Sequence, residues 1–463
     1  MPKEYDFIVI GGGSAGYNAA RKALEFTRSV AVVDGSDPLG GLCILRGCMP
    51  SKTLIYAAEI LHHARQGARF GLDIPSARAD MKRVAARKRD IIADFASHRV
   101  RGLTSGDFDL YRSHARFRDG VSVELAEGTV LRGKKLLVAT GSVVGRPPIP
   151  GFDRVPLWTS DDVLDLDFVP ESVLVLGGGI VACELTQYLR RIGSEVVQIQ
   201  RSPHVLSALP AEAARTVETA FRDEGIELFT ATRIREIREA GGGVEVVFEH
   251  GGKEVRRRAA HAFNALGRIA NTDTLNLEAA GVQRKDNGQI ETDEFQRSSN
   301  PDIYAAGDCA GPYEIVHIAI QQGEVAARHA LGTQASPVDY RLLLMVVFTD
   351  PQVAVAGRTE AALREAGEDV VAASFPFDDH GKSILMEAKY GYVKMVASRK
   401  DGRLLGAEIV GKDAGELIHA PSTAIALKAT ARDLLRAPWY HPTLSEILTY
   451  PLEDIVGELE KGG

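Results

Sequence analysis

Apolar residues in this chain gather into short unbroken runs, each closed by glycine or a polar turn. Phe7-Ile8-Val9-Ile10 runs into Gly11-Gly12-Gly13-Ser14-Ala15-Gly16, and the run Val-Leu-Val-Leu at 173–176 runs into Gly177-Gly178-Gly179-Ile180-Val181-Ala182. Runs of that length without polar alternation suit strands covered on both faces, and the glycines mark a tight turn into a helix. Each unit leads to a second apolar run, Val30-Ala31-Val32-Val33 in the first half and Val196-Val197-Gln198-Ile199 in the second. The pattern predicts two strand–helix–strand units of the doubly wound type. A second echo follows. Leu136-Leu137-Val138-Ala139-Thr140-Gly141 and Ala262-Phe263-Asn264-Ala265-Leu266-Gly267 are buried-type strands ending in glycine. Before them, 121–131 and 244–255 alternate and read as antiparallel strands, with Gly251-Gly252 as a hairpin turn.

Arg146-Pro147-Pro148-Ile149-Pro150-Gly151 reads as a linker. The last hundred or so residues change character, with strands expected over 392–396 and 404–410 and a helix over 414–429. Lys461-Gly462-Gly463 reads as a loose end.

Composition narrows the class. The chain has 463 residues, 45% hydrophobic and 25% charged, with a net charge of -7 spread along its length. That is an ordinary globular balance, long enough for several domains, and it argues against nucleic acid as a partner because phosphate binding needs a basic surface. No apolar run approaches the ~20 residues of a spanning helix, and nothing before Phe7 resembles a signal peptide. A cytoplasmic protein with no membrane partner is expected.

The glycine turns carry the first chemistry. Gly11, Gly13 and Gly16 fit G-x-G-x-x-G, which lets backbone approach a pyrophosphate at a helix N-terminus. Asp34 ends the next strand, where a carboxylate accepts hydrogen bonds from a ribose. Gly177, Gly179 and Ala182 repeat the motif, but Gln200-Arg201 replace the acid. A guanidinium there suits a 2′-phosphate, so NADP(H) is favoured over NAD(H).

Of the four cysteines, Cys43 and Cys48 form a close pair in Gly41-Leu42-Cys43-Ile44-Leu45-Arg46-Gly47-Cys48-Met49-Pro50-Ser51-Lys52. A close pair in a long chain of this kind points to redox work or metal. Pro50 suits a first helical turn, which places Cys48 at a positive dipole end, and Lys52 adds a cation; both favour thiolate. The metal reading fails for want of a second ligand pair, and no metal site is expected. Cys183 and Cys309 read as buried small residues. Near the C-terminus, His441 and Glu446 in Tyr440-His441-Pro442-Thr443-Leu444-Ser445-Glu446 offer a general acid/base pair, while Thr443 to Glu446 also matches a helix capping box.

Together these motifs resemble the class I pyridine nucleotide–disulfide oxidoreductases, the family of dihydrolipoamide dehydrogenase, glutathione reductase and mercuric reductase. The resemblance runs from about Tyr5 to Leu452 and is nearest to the dihydrolipoamide dehydrogenases. Its markers include Ala139-Thr140-Gly141, Glu184 after the second glycine turn, Gly267-Arg268, Ala306-Gly307-Asp308 and Phe348-Thr349-Asp350-Pro351. The family pattern implies an α/β protein with two doubly wound dinucleotide-binding domains, for FAD and NAD(P), and a C-terminal α+β dimerisation domain. The expected division is 1–150 and 271–344 for FAD, 151–270 for NAD(P) and 345–463 for the interface. It further implies that Cys48 faces the flavin, that Cys43 meets a dithiol or disulfide substrate, and that Lys52 pairs with Glu184 near the flavin. Asp308 holds the ribityl chain, and a helix starts at His317 to Ala319. Gly11, Gly13, Ser14, Ala15, Gly16, Asp34, Gly41, Lys52, Ala115, Thr140, Gly141, Arg268 and Gly307 complete the FAD set. Gly177, Gly179, Ile180, Glu184, Gln200, Arg201 and Gly267 form the NAD(P) set. The same resemblance implies that His441 and Glu446 act from the partner subunit of a homodimer. Leu42 and Ile44-Leu45-Arg46 depart from the family's usual cysteine loop. A C-terminal Cys-Cys pair of the mercuric kind is absent, since the chain ends Gly-Gly.

Overall fold

The apolar run at 7–10 lies in strand Lys3–Ile10, in the middle of a seven-stranded sheet. The computed structural model describes residues 2–332 and 334–461. Along this sheet the order is Asp109–Tyr111, Val30–Val33, Lys3–Ile10, Val130–Val138, Ser122–Leu125, Ala115–Phe117. Strand Ile303–Ala305 returns from far along the chain to pair in parallel with Leu136 to Val138 of the long strand. The reason for the unbroken apolar runs is visible in the core. Ile8, Ile10, Ala31, Val33, Leu136 and Val138 pack on one face, and Phe7, Val9, Val30, Val32 and Leu137 on the other. Period-two alternation thus carries apolar side chains to both faces of the buried central strands.

The second glycine unit builds a parallel four-stranded sheet of Glu227–Phe229, Glu195–Ile199, Ser172–Leu176 and His261–Asn264. It too is filled on both faces, by Val173, Val175 and Val196 on one and Leu174, Leu176 and Ile199 on the other. The alternating segments differ between the halves. In the first they join the main sheet as Ala115–Phe117 and Ser122–Leu125; in the second they make a separate antiparallel sheet, Arg233–Ala240, Gly243–His250 and Lys253–Ala259, turned at Gly251-Gly252.

A further antiparallel sheet, of five strands, holds Leu344–Val347, Gln352–Gly357, Leu404–Gly411, Tyr392–Ser398 and Val370–Pro376 in that order. Helix Thr449–Lys461 packs on it through Leu452 and Ile455. Two expectations are corrected here. The helix anticipated over 414–429 is two short ones, Ala414–Leu417 and His419–Ala426. Pro421 lies in the first turn of the second and has no N–H to continue the first. Lys461 is the last residue of a helix rather than part of a loose end, while Gly462 and Gly463 lie outside the described residues. No helix among the described residues is long and apolar enough to cross a membrane.

Candidate active site

The glycine turns do the same geometric work twice. A Cβ on Gly11 would lie 2.4 Å from the Ala139 carbonyl oxygen, and one on Gly177 would lie 2.2 Å from that of Ala265. Both have φ above +100°, which a side chain resists. Beyond these turns, nothing stands within 4 Å of a Cβ on Gly13 or Gly179, so the backbone at each helix start is open to a ligand. Gly16 does not line that space. Its role is packing, since a Cβ there would lie 1.8 Å from the Gly11 oxygen.

Asp34 and Gln200 occupy matching positions. Asp34 Oδ2 accepts from the Gly12 N–H at 2.8 Å, and Ser36 donates to Oδ1 through both N–H (2.8 Å) and O–H (2.6 Å). Gln200 packs against Gly178, and its Oε1 accepts from the Arg201 N–H at 3.0 Å. The Arg201 side chain is exposed, with no side-chain partner among the described residues. Ile180 begins helix Ile180–Ile192 directly after the turn.

A cleft runs from the first glycine turn to the cysteines. Its walls include Gly11, Gly13, Ser14, Ala15, Asp34, Gly41, Ala115, Thr140, Gly141, Gly307, Asp308 and Ala319, with Cys43 and Cys48 at one end. Asp308 Oδ2 accepts from Ser142 Oγ at 2.6 Å, and Arg268 donates to Ser142 through Nε at 2.8 Å. Arg268 therefore steadies Asp308 through Ser142 and is not itself part of the wall. The helix expected from His317 starts one residue earlier, as Val316–Ala330; Val316 and Ala319 face the cleft, and His317 stands exposed.

The cysteine loop is built by a helix break. Leu42–Leu45 is one short helix, Arg46 and Gly47 leave helical geometry, and Cys48–Arg65 begins anew with Cys48 in its first turn. That break brings the two sulfurs together. The Cys48 thiol falls to about 7, first because Cys43 hydrogen-bonds to it and next because the Lys52 ammonium faces it. The same hydrogen bond and burial push Cys43 up. The pair thus holds one thiolate, seated on Cys48. In the dithiol protein, alkylation of Cys48 by iodoacetamide should rise through a midpoint near pH 7 and fade as pH drops below it. A midpoint at the ordinary ~8.5 of a thiol would contradict the assignment.

Lys52 Nζ meets Glu184 Oε2 at 2.6 Å, joining residues far apart in sequence. Glu184 is buried, and its other oxygen accepts from the Phe348 N–H at 2.9 Å; Lys52 also lies 4.7 Å from the centre of the Phe348 ring. Sequence reasoning missed Phe348 in this role, and it missed Arg99. The Arg99 guanidinium lies 4.4 Å from the Tyr17 ring centre and acts electrostatically on Cys43. Glu59, His63 and Asp350 bring donor atoms within 4.8 Å of one another, but the protein supplies its own cations there. Lys412 bonds Glu59, and Arg191 bonds Asp350 at 2.8 Å.

His441 Nδ1 lies 3.0 Å from both oxygens of Glu446. The capping-box reading of Thr443 to Glu446 does not hold. Thr443 Oγ1 donates to the Tyr440 carbonyl, and the Glu446 carboxylate is committed to His441. The His441 side chain is 79% exposed, and no hydrogen bond or ion pair among the described residues joins it to the cysteines.

Residues 5–323 match the pyridine nucleotide-disulphide oxidoreductases, and residues 344–451 match the dimerisation domain of the same proteins. The chain belongs to this family. It is 35% identical over 450 residues to a dihydrolipoyl dehydrogenase of Thermus scotoductus, covering 96% of each chain. It is 33% identical over 432 residues to a mercuric reductase of Staphylococcus aureus, covering 93% of this chain and 79% of that one. Among solved structures, LpdA from Mycobacterium tuberculosis superposes with a TM-score of 0.87 at 27% identity, over 98% of this chain and 99% of that one. A Cu(II) complex of the HOCl-induced flavoprotein disulfide reductase RclA from Escherichia coli superposes at 0.86 and 25%, over 98% and 100%. Pyridine nucleotide-disulphide oxidoreductases are FAD-dependent and use a pyridine nucleotide. The cleft suits FAD. It offers open backbone at a helix start for a pyrophosphate, the Asp34 carboxylate for a ribose, and the Asp308 carboxylate on a wall shared with Cys43 and Cys48.

Proposed function

We propose that this chain is a dihydrolipoamide-dehydrogenase-like enzyme that moves two electrons between NADP(H) and a dithiol or disulfide through Cys43 and Cys48. The thiolate on Cys48, beside a Cys43 thiol and the Lys52 ammonium, carries this reading. Residues 1–150 and 271–344 hold FAD, 151–270 hold the nicotinamide nucleotide, and 345–463 form the interface of a homodimer. FAD held along the cleft by Gly11, Gly13, Asp34, Thr140 and Asp308 would supply the two-electron chemistry that links a nicotinamide to the cysteines. Lys52 and Glu184 keep a fixed charge pair beside Cys48. In the reducing direction, His441 takes the proton of the Cys43 thiol as that sulfur attacks one sulfur of the substrate disulfide, and returns it to the other sulfur as it leaves. The Cys48 thiolate then attacks the Cys43 sulfur of the mixed disulfide; the second substrate sulfur leaves as a thiolate, takes a proton from solvent, and a Cys43–Cys48 disulfide remains. His441 and Glu446 act from the partner subunit, a placement supported by the exposure of His441 and by its having no bond to its own cysteines among the described residues. Steady-state assays with NADPH against dihydrolipoamide, a small disulfide and Hg(II) test the reading; turnover of the metal ion alone would overturn it.

A metal-ion reading draws on the mercuric reductases and on the copper complex of RclA. This chain's other thiols, Cys183 and Cys309, are both 0% exposed, so no second accessible pair supports delivery of a metal. The nucleotide preference rests on Arg201. Arg201→Ala is expected to raise KM for NADPH about tenfold, the effect of losing one charge-assisted phosphate contact. KM for NADH should stay within about twofold, since NADH carries no 2′-phosphate for the arginine to hold. A higher kcat/KM with NADH in the parent protein would refute the preference.

A further inference from the structure

Behind Glu446 stands a second histidine. His380 is 0% exposed, between strand Val370–Pro376 and the short helix Gly381–Leu385. Its Nδ1 lies 2.8 Å from the Ser383 hydroxyl, itself fully enclosed. Its Nε2 lies 3.4 Å from Glu446 Oε1, which also faces His441 Nδ1 at 3.0 Å. That nitrogen has no well-aligned hydrogen bond among the described residues. The Tyr450 ring closes the pocket edge-on, with centroids 6.1 Å apart.

The arrangement selects one tautomer. If Nδ1 carried the proton, the lone pair of Nε2 would face a carboxylate with no water between them, an unfavourable contact. If Ser383 donates to Nδ1, then Nε2–H points at Glu446. A small turn of the carboxylate brings the two within hydrogen-bond range, as such contacts tighten when a site assembles. Burial holds the His380 imidazole below its ordinary range, so it stays a neutral donor. Apart from His441, Glu446 has no other side-chain partner among the described residues.

We infer that His380 is a positioning residue: with Ser383 it holds the Glu446 carboxylate in place, and Glu446 in turn fixes the ring and tautomer of His441. A carboxylate between two imidazoles, one buried and one exposed, cannot swing away when His441 gains or loses a proton. This inference rests on the proposed acid/base role of His441.

The test uses the full-length, FAD-loaded enzyme. His380→Leu keeps an apolar filling but removes the donor, and should lower kcat for disulfide reduction about tenfold, the effect of one lost hydrogen bond to a charged group. KM should move less than about twofold, because the residue does not touch substrate. His380→Gln, whose amide N–H reaches the same point, should recover kcat to within about threefold. Ser383→Ala should lower kcat as well, by freeing the tautomer. In a His441→Gln background, His380→Leu should cost nothing more. Unchanged kcat in His380→Leu, or an equal loss in both backgrounds with no rescue by glutamine, would overturn the inference. If His441→Gln itself left turnover intact, the acid/base reading would fail and take this inference with it.

Discussion

Replacing Cys48 with serine should reduce disulfide turnover by at least about a thousandfold while leaving Cys43 able to react once. In the native pair the second thiolate resolves the mixed disulfide formed on Cys43, and a serine hydroxyl cannot form that S–S bond. The variant should therefore accumulate one substrate thiol per chain, bound to Cys43. Intact-protein mass spectrometry would read the adduct, and a coupled NADPH assay would read the turnover. The ordering of the two cysteines comes from geometry. Cys48 opens helix Cys48–Arg65 and meets the Lys52 ammonium, whereas Cys43 ends its hydrogen bond on Cys48 and is held as a thiol. Cys43→Ser should be equally inactive but form no adduct. Sustained turnover in either variant would remove the cysteine relay from the proposal.

Substitution of His441 by glutamine is the second large effect, a loss in kcat of about a hundredfold or more, in the range of a positioned general acid/base. Its more telling consequence concerns subunits. His441 is held by Glu446 on an exposed face, without a bond to the cysteines of its own chain. If each site takes its histidine from the partner, mixing inactive Cys43→Ser and His441→Gln dimers under subunit exchange restores one good site per mixed dimer. Random exchange then recovers about a quarter of parental activity. If His441 served its own chain, the mixture would stay inactive, and size-exclusion chromatography would show whether exchange had occurred.

Much of the architecture was legible because its causes are local. Apolar runs at 7–10 and 173–176 and glycines at fixed offsets report strands buried on both faces and turns that no side chain tolerates. The match of Asp34 with Gln200 follows from the same register. What stayed hidden depends on contacts across the sequence. Nothing near Phe348 announces that its N–H will satisfy a buried Glu184, and nothing near Ser142 that it will bridge Arg268 and Asp308. Arg99 looks like one more cation on an amphipathic helix until the Tyr17 ring and Cys43 are placed beside it. Glu446 fitted a capping box by spacing, but its carboxylate is taken by the His441 ring at 3.0 Å, and Thr443 makes no side-chain cap. The helix over 414–429 had the right composition, and Pro421 divided it.

Strand Ile303–Ala305 has a consequence for the order in which the protein can be made. Until it leaves the ribosome, the end of Val130–Val138 that it covers presents bare backbone groups, beside the Ala139 to Gly141 wall of the cleft. The parallel sheet of the second unit lies wholly between those two partners in sequence, so it can close while the first is still open. Nascent chains halted before residue 303 would carry an exposed edge suited to pairing with other chains. The long intervening segment makes this last pairing slow relative to local steps. The cleft wall, which also takes Gly307, Asp308 and Ala319, is thus completed late in synthesis.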